Sequence, residues 1–173
     1  MTVRCADSIP GEVVARLQEI HRDLQAITPQ SEQFAAMQRR YFWTMEKYLD
    51  RGNGRCILRG SGAARAVVAE LDLLTEWRVE VPHYSIMPNH WHALFVPRSG
   101  CIHSLSEVMK RTKGRTAKWI RQHCGGEGAV WQREWFDRWV RDAVEWARFV
   151  DYIHNNPVQA GIVRAWHHHP WTR

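Results

Sequence analysis

The chain has 173 residues, 45% of them hydrophobic and 24% charged, a balance that excludes a disordered tail or a fibre and fits one globular domain. Its 24 lysines and arginines exceed its 18 aspartates and glutamates, so the net charge is +6. No apolar run approaches the ~18–20 residues that cross a bilayer, and the N-terminal residues lack the apolar core of a signal peptide, so we expect a cytoplasmic protein without a membrane partner.

The first half of the chain is predicted to be mainly helical. Residues 1–4 have the pattern of the end of a strand. Three later segments repeat apolar residues at spacings of three and four, which predicts helices at about 11–27, 31–49 and 61–74.

A strand pair is predicted next. Extended runs at 78–87 and 90–96 indicate two antiparallel strands, and the second contains His90-Trp91-His92. Because side chains alternate along a strand, His90 and His92 share one face and Trp91 points to the other. Two imidazoles one pleat apart can bind one divalent ion. An isolated motif of this kind is more often an ordinary pair of surface histidines.

A helix is expected at about 104–123, weakened at Gly114, and it carries most of the excess charge. The stretch 98–122 contains seven bases and one acid, and the remainder of the chain is neutral. The bases are Arg98, Lys110, Arg111, Lys113, Arg115, Lys118 and Arg121. Such a segment indicates a polyanion partner, although a solvated helix face is the plain alternative.

The last helix is expected from an Asp142 N-cap to about Asn155, where Pro157 should stop it. Tyr152 and Asn156 are four residues apart and therefore share a face of this helix. A tyrosine beside a polar residue on a non-core stripe can act as a nucleophile near a metal ligand. Without other signals, a half-buried tyrosine with a satisfied hydroxyl is the more common case.

Together these motifs resemble the single-tyrosine HUH transposases, in particular the REP-associated tyrosine transposases. HUH denotes His, a hydrophobic residue and His, which occur here within Met-Pro-Asn-His-Trp-His-Ala-Leu-Phe at 87–95. The family landmark Tyr-Ile-x-x-Asn-Pro-Val-x-Ala-Gly matches residues 152–161. The Trp-Gln-Arg sequence at 131–133 and the segment 110–116 resemble two further family motifs.

The resemblance implies specific roles in the site. His90 and His92 would hold a divalent metal, Mg²⁺ or Mn²⁺, with Asn156 as the third protein ligand. Imidazole and amide ligands suit Mn²⁺ at least as well as Mg²⁺. Tyr152 would attack a phosphodiester of single-stranded DNA and give a 5′-phosphotyrosine link and a free 3′-hydroxyl. The expected function is a metal-dependent single-stranded DNA endonuclease and strand transferase, that is, a transposase acting on palindromic repeats.

The resemblance also implies a fold. We expect an α+β protein with helices packed on a ferredoxin-like antiparallel sheet, the HUH motif on a central strand and the catalytic tyrosine on a C-terminal helix. Residues 1–173 would form one such domain, with a helical insertion at about 11–74. Family members begin with a full strand, whereas residues 1–4 supply only its last part, so we expect either a chain start further upstream or a sheet with a shortened N-terminal strand.

The implied partners are short DNA hairpins recognised as folded single strands. The seven bases at 98–121, together with Gln132 and Arg133, are the expected DNA contacts. The resemblance favours a bacterial protein that acts as a monomer rather than a homodimer and associates with the nucleoid when bound to DNA.

Two other functions remain open from the sequence. A non-catalytic, regulatory hairpin-binding protein would keep the fold without turnover; the shortened first strand favours this, and the intact site residues oppose it. A zinc-bound structural or hydrolytic protein would use His90 and His92. Neither a nearby cysteine nor an H-E-x-x-H motif supports the zinc alternative.

Overall fold

The computed structural model describes residues 1–29 and 31–173, and an antiparallel sheet lies at its centre. Strands β1 (Thr2–Arg4) and β2 (Val79–Ile86) both pair with β3 (His90–Pro97), which gives the order β1-β3-β2. Residues 131–136 form bridges to the other edge of β1. This arrangement confirms the predicted α+β, ferredoxin-like sheet with the His-x-His motif on the central strand.

In the part of the chain that the structure describes, five α-helices accompany the sheet. They are α1 (Gly11–Ala26), α2 (Glu32–Leu49), α3 (Ser61–Asp72), α4 (Leu105–Cys124) and α5 (Ala143–Gln159). Short 3-10 turns lie at Ile57–Arg59, Leu73–Trp77 and Trp166–His168. None of the helices described is long and apolar enough to cross a membrane.

Helices α3 and α4 cover one face of the sheet. Trp91 and Ala93 of β3 lie in the same buried cluster as Leu71 of α3 and Met109 and Ile120 of α4. Burial of an aromatic side chain of this size stabilises a fold by roughly 3 kcal/mol or more. The strand alternation therefore places His90 and His92 on the opposite face, toward α2 and α5.

Helices α1 and α2 form a hairpin with a core of its own. Leu17 and Ile20 of α1 pack with Tyr41, Met45 and Leu49 of α2 in a second buried cluster. Within the segment expected as a helical insertion, this hairpin stands apart from the main core, whereas α3 packs on the sheet.

Two details of the helices differ from the sequence-based expectation. Helix α4 continues through Gly114, because a Ser104–Glu107 capping box and buried residues on either side stabilise it. Helix α5 continues through Pro157, which removes only one backbone hydrogen bond. Gly161, with φ of +69°, ends α5 in a Schellman motif, in which the N–H of Ile162 donates to the carbonyl of Pro157 at 2.9 Å.

Candidate active site

The two histidines of the His-x-His motif lie side by side on β3. His90 and His92 are 1% and 2% exposed, and their ring centroids are 4.7 Å apart. Strand β3 is paired along both edges, so its backbone is fixed. The structure thus brings both imidazoles to one buried position on a rigid element.

A hydrogen bond at Nδ1 orients each imidazole. Asn89 Nδ2 donates to two backbone carbonyls, so its Oδ1 faces His90 and accepts from Nδ1 at 2.8 Å. His92 Nδ1 lies 2.9 Å from Thr2 Oγ1 on β1. Among the residues described, neither buried Nε2 atom has a hydrogen-bond partner. Bonds at Nδ1 with free Nε2 lone pairs are typical of metal-ligating histidines.

Helix α5 places Tyr152 and Asn156 beside this pair. Asn156 Nδ2 donates to Tyr152 Oη at 3.1 Å, and the ring of Tyr152 packs edge-on against His92 with centroids 5.3 Å apart. Asn156 is 2% exposed, and its Oδ1 lacks a partner in the described part of the chain. Asp142 caps the start of the helix, and its carboxylate accepts from the backbone N–H of Glu145 at 2.7 Å. The four residues singled out by the motifs therefore lie together.

One member of the site was missed from the sequence, Glu46 of α2. It is 2% exposed, and its Oε2 accepts a 2.5 Å hydrogen bond from Tyr152 Oη. The same oxygen lies 3.5 Å from His92 Nε2, and Oε1 has no partner among the described residues. One potential ligand atom from each of Glu46, His90 and His92 lies within 4.8 Å of the others.

The sequence carries a signal for Glu46. It lies four residues after Phe42 and three before Leu49, so a carboxylate interrupts an apolar stripe of the helix. Asn89, the residue before β3, holds the end of α2 close to that strand. Its Nδ2 donates to the carbonyls of Leu49 at 3.2 Å and of Asn53 at 3.1 Å.

Burial and charge set the protonation states of the site. Burial and the adjacent His92 lower the pKa of His90 to about 3, so its lone pair is available. Burial acts to raise the pKa of Glu46, but the electrostatic effect of the His92 imidazole and the hydrogen bond from Tyr152 outweigh it, so the pKa is lowered and the carboxylate is ionised. Burial, followed by the charge of Glu46, raises the pKa of Tyr152, so the phenol keeps its proton in this state.

The space around Tyr152 is narrow. A crevice of about 30 Å³ is lined by Tyr152, Phe42, His92 and Phe136, which is room for about one water molecule. A larger cavity of about 720 Å³, lined in part by Trp139, contains none of the five site residues described above. The convergence of polar side chains, rather than cavity volume, therefore locates the site.

Some of the bases expected to contact DNA make ion pairs within the protein. Arg98 pairs with Glu80, and Arg111 pairs with Glu70 at 2.9 Å while only 9% of its side chain is exposed. Lys113 Nζ donates to the backbone carbonyl of residue 133 at 2.6 Å. All three side chains already have partners within the protein, although Arg98 is exposed, which reduces what they can offer a ligand.

The remaining bases lie on the surface. Arg115 is 61% exposed although it also pairs with Glu70 at 2.8 Å. Gln132 is half-buried and donates to Glu134 at 3.1 Å. The other exposed bases are Lys110, Lys118, Arg121 and Arg133. Because α4 packs on the sheet face opposite the histidines, its bases and the candidate site lie on different sides of the sheet.

Comparison with known protein families identifies the family of this chain. Residues 59–156, more than half of the chain, match the family described as IS200-like transposases. The chain belongs to this transposase family. The matched segment contains His90, His92, Tyr152 and Asn156, whereas Glu46 and Thr2 lie outside it. Membership confirms the family resemblance inferred from the motifs.

Two relatives are similar over part of their length. The chain is 24% identical over 101 residues to an uncharacterized protein of Haemophilus influenzae, which covers 47% of this chain and 56% of that protein. It is 22% identical, with a TM-score of 0.49, to a solved structure of a REP-associated tyrosine transposase bound to a REP hairpin, covering 64% of this chain and 61% of that one. The chain therefore spans less than two thirds of either relative.

Proposed function

We propose that this chain is a metal-dependent single-stranded DNA endonuclease and strand transferase, acting on palindromic hairpins through a 5′-phosphotyrosine intermediate. The observation that supports this best is the position of the Tyr152 hydroxyl. It is hydrogen-bonded to Asn156 and Glu46 and lies beside the His90–His92 pair, at the edge of a buried cluster of potential metal ligands.

The residues of the site fit a divalent metal. In residues 1–29 and 31–173, eight buried side-chain polar atoms have no hydrogen-bond partner, and four of them lie together in this site: Nε2 of His90 and of His92, Oε1 of Glu46 and Oδ1 of Asn156. An unpaired buried polar atom costs about 1–3 kcal/mol, and one cation can satisfy several. We propose that His90, His92 and Asn156 hold Mg²⁺ or Mn²⁺. The bound metal would withdraw charge from the scissile phosphate and fix its geometry.

The chain's own residues would perform the transfer. Tyr152 Oη attacks phosphorus and forms a new P–O bond, while the bond from phosphorus to the 3′-oxygen breaks and that oxygen takes up a proton from water. The phenolic proton passes to Glu46 Oε2, which already accepts its hydrogen bond. The covalent link conserves the energy of the broken bond, so a 3′-hydroxyl can rejoin the strand without ATP.

DNA contact would be shared between the site and exposed bases. Five bases lie on the surface and can approach phosphates: Lys110, Lys118, Arg121, Arg133 and Arg115, the last of which also pairs with Glu70. The crevice at Tyr152 is smaller than a nucleotide, so DNA must displace the side chains that line it. We further propose that residues 1–173 act as one domain and as a monomer in the bacterial cytoplasm.

A covalent-adduct assay tests the proposal. Labelled single-stranded hairpin DNA from repeats near the gene is incubated with the protein and Mn²⁺ or Mg²⁺, and denaturing gel electrophoresis separates any adduct. We expect a metal-dependent shifted band that is lost in Tyr152→Phe and His90→Ala. Tyr48→Phe, which removes the hydroxyl of a half-buried tyrosine on α2, should keep the band.

Hairpin binding without any adduct, in Mn²⁺ and in Mg²⁺, would instead support a non-catalytic binding protein. In that case Tyr152→Phe should leave the affinity for the hairpin unchanged. One zinc ion per purified chain without an adduct would support the zinc alternative.

A further inference from the structure

We propose that Glu46 is a fourth protein ligand of the metal, and that its other oxygen positions the hydroxyl of Tyr152. The inference rests on the proposed function and adds a residue from outside the segment that matches the transposase family. One carboxylate would then connect the metal to the nucleophile.

The two oxygens of Glu46 have different surroundings. Oε2 accepts the hydrogen bond from Tyr152, whereas Oε1 is buried and has no partner among the described residues. A buried carboxylate is stable only when it is paired and hydrogen-bonded. The one basic side chain within 4 Å of this carboxylate in the described chain is the imidazole of His92, and its Nε2 lies 3.5 Å from Oε2. A metal ion among Glu46, His90 and His92 supplies the missing partner for Oε1.

Charge also favours Glu46 as a ligand. His90, His92 and Asn156 are all neutral ligands, so they would leave a doubly charged ion uncompensated in a buried site. The carboxylate of Glu46 adds one negative charge and one oxygen donor, and Mg²⁺ and Mn²⁺ prefer such oxygens. Two imidazoles, a carboxylate and an amide form a set that suits Mn²⁺.

Helix α2 holds Glu46 on a rigid support. The helix packs against α1 through Met45 and Leu49 in the core of the hairpin. Asn89 fastens its C-terminal end to β3, and Phe42, one turn before Glu46, packs edge-on against the ring of Tyr152 with centroids 5.4 Å apart. A ligand fixed in this way keeps its geometry when the ion binds.

Metal binding measured directly tests the inference. Isothermal titration of metal-free protein with Mn²⁺ compares the wild type with Glu46→Gln and with Glu32→Gln, which removes a charge from the exposed start of the same helix. We expect at least tenfold weaker binding for Glu46→Gln and a change below about twofold for Glu32→Gln. Glutamine keeps the size of the side chain and can still pair with Tyr152, and the metal-free melting temperature verifies folding.

A spectroscopic readout separates ligation from a structural role. With Co²⁺ in place of Mn²⁺, Glu46→Gln should shift the visible d–d absorption bands, whereas Glu32→Gln should leave them unchanged. If His90→Ala abolishes metal binding but Glu46→Gln keeps the wild-type Mn²⁺ affinity and an unchanged Co²⁺ spectrum, the inference about Glu46 fails and the proposed metal dependence does not. If the wild type binds neither metal, the inference and the proposed metal dependence both fail. Weakened binding in Glu46→Gln without any DNA adduct would uphold the ligand and contradict the nuclease.

Discussion

Replacement of Asn89 by alanine would test how the site is held together. The side chain is 1% exposed and makes three hydrogen bonds. Its Nδ2 donates to the carbonyls of Leu49 at 3.2 Å and Asn53 at 3.1 Å, and its Oδ1 accepts from His90 Nδ1 at 2.8 Å. Alanine removes all three bonds and leaves their partners without this contact.

The expected loss of folding stability follows from these three hydrogen bonds. Each contributes about 1 kcal/mol net, so Asn89→Ala should lower the free energy of unfolding by about 3 kcal/mol. Domains are stable by about 5–15 kcal/mol, so the variant should still fold. At roughly 2–4 °C per kcal/mol for a chain of this size, the melting temperature should fall by about 6–12 °C. Because His90 also loses the bond that orients it, Mn²⁺ affinity should fall by about tenfold.

Urea unfolding in metal-free buffer, followed by tryptophan fluorescence and circular dichroism, measures this loss. Asn155→Ala is the matched control, since Asn155 is exposed and makes one hydrogen bond, to the carbonyl of Asp151 in its own helix. Its effect should stay within about 0.5 kcal/mol. A loss below about 1 kcal/mol for Asn89→Ala would refute the reasoning that Asn89 fastens α2 to β3.

Three further predictions concern pH, salt and backbone. Burial lowers the pKa of His90 from 6.5 to about 3, so the unfolded chain binds the proton at a higher pH than the folded chain does. The metal-free protein should therefore lose stability as the pH drops from about 6.5 towards 3. Identical pH profiles of urea unfolding for the wild type and His90→Gln would contradict this. Lys118→Gln should reduce the slope of log affinity for hairpin DNA against log salt by about 0.7, while Lys47→Gln should not, as anisotropy titrations would show. Gly114→Ala should raise the free energy of unfolding by about 0.5–1 kcal/mol, because the added Cβ meets open space within α4. Gly161→Ala should lower the free energy of unfolding by about 1 kcal/mol, because the φ angle of Gly161 is +69°. Urea curves that move in the same direction for both glycine variants would argue against this.

The parts of the fold and site that follow from short-range periodicity could be predicted from the sequence. The two-residue period of a strand places His90 and His92 on one face, and the spacing of four in a helix aligns Tyr152 with Asn156. Each pair depends on its own element, so no tertiary information is needed. The family motifs then supply the expectation that the two pairs meet, and the structure places them together.

Features that depend on tertiary packing could not be predicted in the same way. Glu46 reaches the site only because α2 lies against β3 and α5, and the sequence around it gives the spacing but not the partner. Arg111 counts as a basic residue in the sequence, yet its ion pair with Glu70 of α3 engages it inside the protein. The end of α5 depends on Gly161 rather than Pro157, because the left-handed residue completes the capping bonds.

The residues of the site are synthesised at different times. Its side chains come from residue 46, from 90 and 92, and from 152 and 156, so the possible metal ligands of α2 and β3 exist before the tyrosine of α5 has been made. Contacts between residues far apart in the sequence need a long loop to close, so they form slowly. Docking of α5 is therefore the event that completes the site. A nascent chain that already contains both histidines still lacks Tyr152 and Asn156, so the five side chains of the site can meet only after α5 has been made.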